Sequence, residues 1–189
     1  MNIRIINGKR LNTDFIWEDS QSIDIEDGVI TAFDAASKKP DKVIDAKSCL
    51  ILPGLTDLNV ALRGDGYAVK GCIEAETESA VAGGVTKLCC SPETGPVNDT
   101  RAVTKLIKEL ALSANNCEVL PLAALTKGLN GEQLSEYAAL KSAQCVALSN
   151  AYHPIKTLEI TKRCFEYAKT RGLSVFSNPK KDGVLATDV

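Results

Sequence analysis

At residues 50–62 the chain reads LILPGLTDLNVAL, and at this point its hydrophobic pattern changes. Upstream, apolar residues alternate with polar ones, as in half-buried strands. Downstream, short apolar runs alternate with longer segments that have the 3.6-residue period of helices. This alternation predicts βαβ units that build a parallel sheet with right-handed crossovers. The predicted strands after residue 62 are 85–90, 119–125, 145–148 and 173–176, and the predicted helices are 73–82, 102–112, 132–141 and 158–171.

The segment 53–189 is too short for a closed barrel. It holds four strand-helix units and a fifth strand, counting the run at 55–62 as the first strand. A complete (β/α)8 barrel takes about 250 residues. The predicted fold is therefore α/β, a partial TIM-type barrel that amounts to about half of the closed form. Two hypotheses remain open: the chain is a fragment of a longer protein, or another copy or a partner supplies the missing half.

The segment 1–52 is predicted to be a separate β module. Isoleucines alternate with polar residues at 3–5 and 23–25, and a further short strand is predicted at 43–45. Asp27-Gly28 follows the second of these runs and precedes another apolar run. An Asp-Gly pair between such runs predicts a tight hairpin, because both residues tolerate a positive φ.

The composition is that of an ordinary globular domain. Hydrophobic residues make up 44% and charged residues 24%, and the net charge is -2. Scattered Lys and Arg residues give no indication of a nucleic-acid partner. No apolar run approaches the roughly 20 residues that span a bilayer, and the first residues do not resemble a signal peptide. We expect a cytoplasmic protein.

Potential metal ligands are scarce. The chain has one histidine, His153, whereas a catalytic zinc site usually takes several histidines or a histidine–carboxylate set. It has seven cysteines but no Cys-x-x-Cys pair. Cys89 and Cys90 are adjacent in a predicted strand, so their side chains should point to opposite faces. These observations argue against a zinc hydrolase.

Several segments, all in one register, resemble dihydroorotases of the amidohydrolase superfamily. The resemblance runs from about residue 3 to the end, and it implies a TIM-type barrel whose N-terminal strands join a small β-sandwich. The matching segments are LPGLTDLNVALR at 52–63, AGGVT at 82–86, SPETGPVND at 91–99, ALTKGLNGE at 124–132 and CVALS at 145–149.

The departures from the family pattern fall where its metal chemistry is implied. Asn59 and Ala61 stand at the positions of the His-x-His pair that holds a divalent metal. Asn150 begins the segment that corresponds to Asp-Asp-Gly, and Asn178 begins the one that corresponds to His-Cys-Glu-Asp. Alanine has no donor atom and neutral amides are poor zinc ligands. We therefore expect no family zinc and no catalytic residue.

Two positions match substrate-binding residues of the family. Arg63 corresponds to the arginine that pairs with the substrate carboxylate, and the alternative is a surface salt bridge with Asp65. Glu93 stands where the family has an asparagine in its substrate loop. Asp57 matches an aspartate that precedes the histidine pair, and without a metal its alternative role is to bond the backbone at the strand end.

The sequence offers two further arrangements of potential site residues. His153 precedes Pro154 on a predicted loop, where a solvated histidine is expected rather than a partner for Cys145. Asp57, Asp65 and Glu93 could approach each other and bind magnesium, although acidic residues on such loops are common without any ligand.

The leading hypothesis is a non-catalytic dihydroorotase homologue in pyrimidine biosynthesis. The resemblance implies a structural role for such chains, in support of aspartate transcarbamoylase. One alternative is an active cyclic amidohydrolase, or a fragment of one, that hydrolyses dihydroorotate to N-carbamoyl-L-aspartate. Another is a module that keeps Arg63 and binds such a ligand without turning it over.

Overall fold

The structure is a computed structural model of the 189-residue chain, and it describes residues 1–11, 14–34, 39–62 and 69–178. The chain divides into two compact units, Met1–Pro53 and Gly54–Val189. None of the helices in the described ranges is both long enough and apolar enough to cross a membrane.

The N-terminal unit is rich in strands, as predicted. Its elements are β1 (Asn2–Leu11), β2 (Trp17–Glu26), β3 (Val29–Phe33), β4 (Lys42–Asp45) and β5 (Leu50–Ile51). Strand β1 pairs antiparallel with β2 and parallel with both β4 and β5, while β2 and β3 are antiparallel. The described residues of this unit thus form one five-stranded sheet, without the second sheet of a sandwich.

The predicted Asp-Gly hairpin joins β2 to β3. Asp27 and Gly28 have φ values of 49° and 82°. Two successive residues in the left-handed region produce a turn whose twist matches that of the flanking strands. Strand β2 also pairs with β1, where Arg4 lies opposite Asp24 and donates from Nε and Nη2 to its two carboxylate oxygens at 2.6 and 2.9 Å. This bidentate pair fixes the register of β1 against β2.

The C-terminal unit alternates strands and helices. Its elements are β6 (Leu55–Val60), α1 (Val69–Ala82), β7 (Val85–Cys90), α2 (Arg101–Ala114), β8 (Glu118–Ala124), a 3-10 turn (Lys127–Leu129), α3 (Tyr137–Ser142), β9 (Ala147–Ser149), α4 (Leu158–Arg171) and β10 (Ser174–Phe176). The strands are parallel and follow one another across the sheet in chain order. This is the strand order of a barrel wall. The predicted half barrel, four strand-helix units and a fifth strand, is confirmed.

The two faces of this sheet are packed differently, and β7 shows the division. Cys90 packs with Leu88 and with Ile107 of α2, in a core that the helices cover. Cys89 packs on the concave face with Leu122 and Ala147, which both come from strands. The adjacent thiols therefore face opposite sides, as predicted. A third cluster lies beneath α3 and α4 and includes Ala123, Leu125, Tyr137, Leu140, Leu148, Cys164 and Ala168.

The predicted helix at 132–141 is wrong over its first half, because α3 comprises only Tyr137–Ser142. The backbone N–H of Lys127 donates to the Gln133 carbonyl at 2.8 Å, and that of Ser135 donates to the Leu125 carbonyl at 3.0 Å. The segment before α3 therefore pairs with the loop that follows β8. These tertiary hydrogen bonds override a helical period in the sequence.

Strand β6 lies at one edge of the curled sheet and is largely exposed. The exposed fractions of Leu55 and Leu58 are 53% and 59%. Its register with β7 shifts after Asp57, so that Asp57 pairs with Leu88 and Val60 pairs with Cys90. Within the described residues, the half barrel thus presents an apolar edge strand with one neighbour, the kind of edge that favours pairing with another strand.

Candidate functional site

The loops that follow parallel strands lie at one edge of the sheet, here called the rim. Three rim loops, residues 91–99, 125–136 and 150–157, follow β7, β8 and β9. Arg63 and Asp65 lie outside the described residues, so neither the Arg63 interpretations nor the magnesium triad has a structural account. The other predicted site positions all lie at this edge: Asn59, Ala61, Glu93, Asn150 and Asn178.

The first rim loop is held to the neighbouring strand by Asn98, which is fully buried. Its side-chain Nδ2 donates to the Leu122 carbonyl at 2.8 Å, and its Oδ1 accepts from the Thr104 hydroxyl at 2.7 Å. Its backbone carbonyl accepts from the Ala124 N–H at 2.8 Å. These bonds fix the loop that carries Glu93.

Glu93 contacts the single histidine of the chain across the rim. The His153 Nε2 atom lies 3.0 Å from Glu93 Oε1. The side chain of Glu93 is 17% exposed and that of His153 is 48% exposed. The loop position expected for His153 is confirmed, but its pairing with Glu93 was not predicted. The position that matches a substrate-binding asparagine therefore carries a carboxylate engaged by the chain itself.

Asn150 is buried and joins the second and third rim loops. Its Oδ1 accepts from the backbone N–H of Thr126 at 3.2 Å and from the Thr126 hydroxyl at 2.8 Å. Its Nδ2 donates to the carbonyls of His153 at 3.0 Å and Leu129 at 3.5 Å. Both ends of the amide are thus used in binding the surrounding loops.

Asp57 bonds the strand end, which confirms one of its two interpretations. Its Oδ1 accepts from the backbone N–H of Asn59 at 3.0 Å. Burial, and then the charge of Asp57, raise the pKa of the Cys89 thiol.

Asn59 and Asn178 are exposed and border one cleft of about 390 Å³, whose lining residues carry no formal charge. The other lining residues are Leu58, Ser149, Ala151, Tyr152, Phe176 and Ser177.

Residues 48–184 match the family model described as dihydro-orotase-like. The chain belongs to the dihydroorotase-like family.

Curated relatives agree with this assignment. A dihydroorotase-like protein of Pseudomonas aeruginosa is 48% identical over 153 residues, which cover 80% of this chain and 36% of the relative. A protein of Syntrophotalea carbinolica named dihydroorotase is 38% identical over 200 residues, which cover 100% of this chain and 47% of the relative. The dihydroorotase-like chain thus spans less than half the length of these relatives.

Solved structures share the fold. An L-hydantoinase (dihydropyrimidinase) from Arthrobacter aurescens superposes with a TM-score of 0.77 over 93% of this chain and 40% of its own, at 18% identity. A Saccharomyces cerevisiae dihydroorotase superposes with a TM-score of 0.56 over 74% of this chain and 40% of its own, also at 18% identity. These likenesses show that part of each of these two proteins has the fold of this chain.

The residues at the rim of this dihydroorotase-like chain do not fit the zinc that the resemblance implies. Ala61 offers no donor atom, and Asn59 and Asn178 offer neutral amides. The Asn150 amide is occupied by four hydrogen bonds to neighbouring groups. Among residues 1–11, 14–34, 39–62 and 69–178, no three His, Cys, Asp or Glu side chains are grouped to hold a metal ion.

Sequence reasoning missed three residues that organise the rim. In the sequence, Asn98 and Thr126 stand out only as parts of family-like segments, and the loop position of His153 predicts a solvated side chain. A buried asparagine close to a strand end usually satisfies backbone groups. This tendency points to such an asparagine in the sequence but does not identify its partner. The partners of Asn98 and Thr126 lie 24 positions away in the chain, and the partner of His153 lies 60 positions away.

Proposed function

We propose that this chain is a non-catalytic member of the dihydroorotase-like family, acting in pyrimidine biosynthesis. The observation that carries the proposal is the state of Asn150. Its buried amide is used on both sides to bind Thr126, Leu129 and His153, so it has no lone pair left to offer a cation. Activation of water by a bound metal requires an open coordination site held by charged or imidazole ligands.

Metal analysis combined with a dihydroorotase assay tests this proposal on the full-length protein. We expect substoichiometric zinc after purification without chelators, and no hydrolysis of dihydroorotate above the uncatalysed rate. Addition of zinc, manganese or cobalt should not produce turnover. Stoichiometric zinc together with turnover would contradict the proposal, and a catalytically active relative assayed in parallel controls for the conditions.

The role we propose for the non-catalytic chain is structural support of aspartate transcarbamoylase. The support for this step is the family resemblance, together with a rim whose polar groups already bind one another. Native mass spectrometry of protein purified from its source would detect a complex with defined stoichiometry. If this chain and aspartate transcarbamoylase remain two separate species after they are mixed at micromolar concentrations, the proposed partnership is contradicted.

An active cyclic amidohydrolase is the second candidate. The observation that favours it is the 38% identity, across the whole chain, to a relative named dihydroorotase. Activity would then require ligands that lie outside the described residues or beyond this chain. The same zinc and turnover measurements separate the two candidates, because only the active enzyme gains hydrolysis when metal is supplied.

A further inference from the structure

The contact between Glu93 and His153 joins two loops that are distant in sequence. The two residues are 60 positions apart, and their side-chain atoms lie 3.0 Å from each other. An ionised carboxylate can only accept hydrogen bonds, so His153 Nε2 is the donor. A hydrogen bond to a charged acceptor is stronger than one between neutral groups. The contact therefore ties the loop after β7 to the loop after β9.

The backbone of His153 is itself fixed by Asn150. The His153 N–H donates to the Asn150 carbonyl at 2.9 Å, while Asn150 Nδ2 donates to the His153 carbonyl at 3.0 Å. Asn150 in turn accepts from Thr126, and the Thr126 hydroxyl oxygen accepts from the Gly131 N–H at 2.9 Å. A continuous series of hydrogen bonds thus leads from Glu93 through the third rim loop into the second.

The other end of this series is equally constrained. Pro92 precedes Glu93, and its carbonyl accepts from the N–H groups of Thr94 and Asn98 at 2.8 and 3.0 Å. The Ser91 N–H donates to the Val60 carbonyl at 2.8 Å. Because both partners stand on backbone that is already ordered, the Glu93–His153 contact costs less conformational entropy than a pair of mobile surface side chains.

We propose that Glu93, His153 and Asn150 form a brace that fixes the three rim loops relative to one another without a bound cation. Glu93 and His153 act as positioning residues, since they orient loops rather than a reacting group. The brace makes the rim a preorganised surface. This inference concerns what holds the rim together, and it stands whether or not the chain hydrolyses a substrate.

A neighbouring ion pair provides a matched control. Lys156 Nζ donates to Glu132 Oε1 at 2.8 Å, and this pair also joins the third rim loop to the second. Its side chains are 58% and 63% exposed, in contrast to the largely buried Glu93. Exposed pairs of this kind contribute little to stability. If Glu93 and His153 form the brace, substitutions in this pair should affect the order of the rim loops more than substitutions of Glu132 and Lys156, although the two contacts have similar geometry.

Hydrogen exchange of the rim amides tests the brace. We expect Glu93→Ala and His153→Ala each to raise the exchange rates of the Thr94 and Asn98 amides and of the backbone amide at position 153 by about tenfold, with little change in the core amide of Leu148. The double variant should add little to either single variant, because both remove the same contact. Glu93→Gln should restore most of the protection, since its amide oxygen can still accept from His153.

Two comparisons can overturn the proposal. Glu132→Ala and Lys156→Ala should change the hydrogen-exchange rates of the rim amides by less than about twofold. If their effects equal those of the Glu93 and His153 substitutions, any surface pair holds the loops equally well and the brace is contradicted. Adding EDTA to the wild-type protein should leave rim exchange unchanged, and a chelator-dependent increase would mean that a cation holds the loops. Neither readout depends on hydrolytic activity, so failure of the brace is distinguishable from failure of the proposed function.

Discussion

The side-chain oxygen of Asn150 accepts two hydrogen bonds from Thr126, one from its backbone N–H at 3.2 Å and one from its hydroxyl at 2.8 Å. Both residues are buried. One side chain thereby satisfies two donors that have no access to water. The family resemblance implies metal chemistry at position 150. The asparagine that stands there stabilises the fold instead.

Asn150→Ala should therefore destabilise the protein. It leaves the Thr126 donors and the carbonyl of His153 without this partner, and each unsatisfied buried group costs about 1–3 kcal/mol. We expect the free energy of unfolding to fall by about 2–4 kcal/mol in urea titrations. Asn59→Ala, at an exposed position, should change it by less than about 0.5 kcal/mol. Equal effects of the two substitutions would contradict the role assigned to Asn150.

Local patterns in the sequence predicted most of the fold. Asp27-Gly28 specified its turn because the requirement for a positive φ is met by the two residues themselves. The half barrel followed from strands and helices that alternate in chain order, since such connections leave few possible topologies. The limits of α4, Leu158–Arg171, agree with the predicted helix because an apolar stripe runs through the segment and the capping residues Thr157 and Gly172 flank it.

The rim could not be predicted in the same way. Its organisation depends on side chains such as Glu93 and His153, which lie on loops separated in the chain by α2, β8, α3 and β9. Residues that form such contacts recur with no period and no fixed spacing in the sequence. The start of α3 differs from the predicted start for the same reason, because the Ser135 N–H donates to the Leu125 carbonyl rather than to a helical neighbour. Sequence patterns identified which positions depart from the family, but not what those residues do instead.

Gly131→Ala should perturb the contact between the second and third rim loops. Gly131 has a φ of +73°, and a Cβ atom there would lie 2.3 Å from the Pro154 carbonyl oxygen. Both the backbone conformation and the close approach oppose a side chain, so we expect a loss of more than about 3 kcal/mol in unfolding free energy.

Gly84→Ala is the matched control for this substitution. Gly84 has a φ of +84°, but a Cβ atom there would meet nothing within 4 Å. Only the backbone penalty applies, which amounts to about 1–2 kcal/mol. Urea titrations of both variants measure the difference. A loss at Gly84 as large as that at Gly131 would show that the contact with Pro154 is unimportant.

Stability should fall at alkaline pH because of buried thiols. Burial raises the pKa of Cys145 from its ordinary value of 9.0 to about 11, and it also raises the pKa of Cys164. Above pH 9 the unfolded chain releases these protons while the folded chain retains them. For Cys145 the stabilising contribution is thus fully present below pH 9 and is lost as the pH rises toward 11, by up to about 1.4 kcal/mol per pH unit.

Cys145→Ala isolates the contribution of one thiol. The variant has a lower stability at pH 7 because of lost packing, but its stability should decline less steeply between pH 9 and 10.5 than that of the wild type. Urea titrations across this range under reducing conditions give both slopes. Parallel curves for the two proteins would show that the Cys145 thiol does not titrate differently on folding.

Installing histidines at the first strand should not create an enzyme. The double variant Asn59→His, Ala61→His supplies two imidazoles at the end of β6, but the Asn150 amide remains bound to Thr126 and His153, and Asn178 remains a neutral amide. Two imidazoles without further anionic or imidazole ligands provide an incomplete zinc site. We expect at most weak zinc binding by mass spectrometry of the dialysed variant and no hydrolysis of dihydroorotate. Appreciable turnover would mean that residues outside the described ranges complete the coordination, and it would favour the active amidohydrolase over the non-catalytic chain.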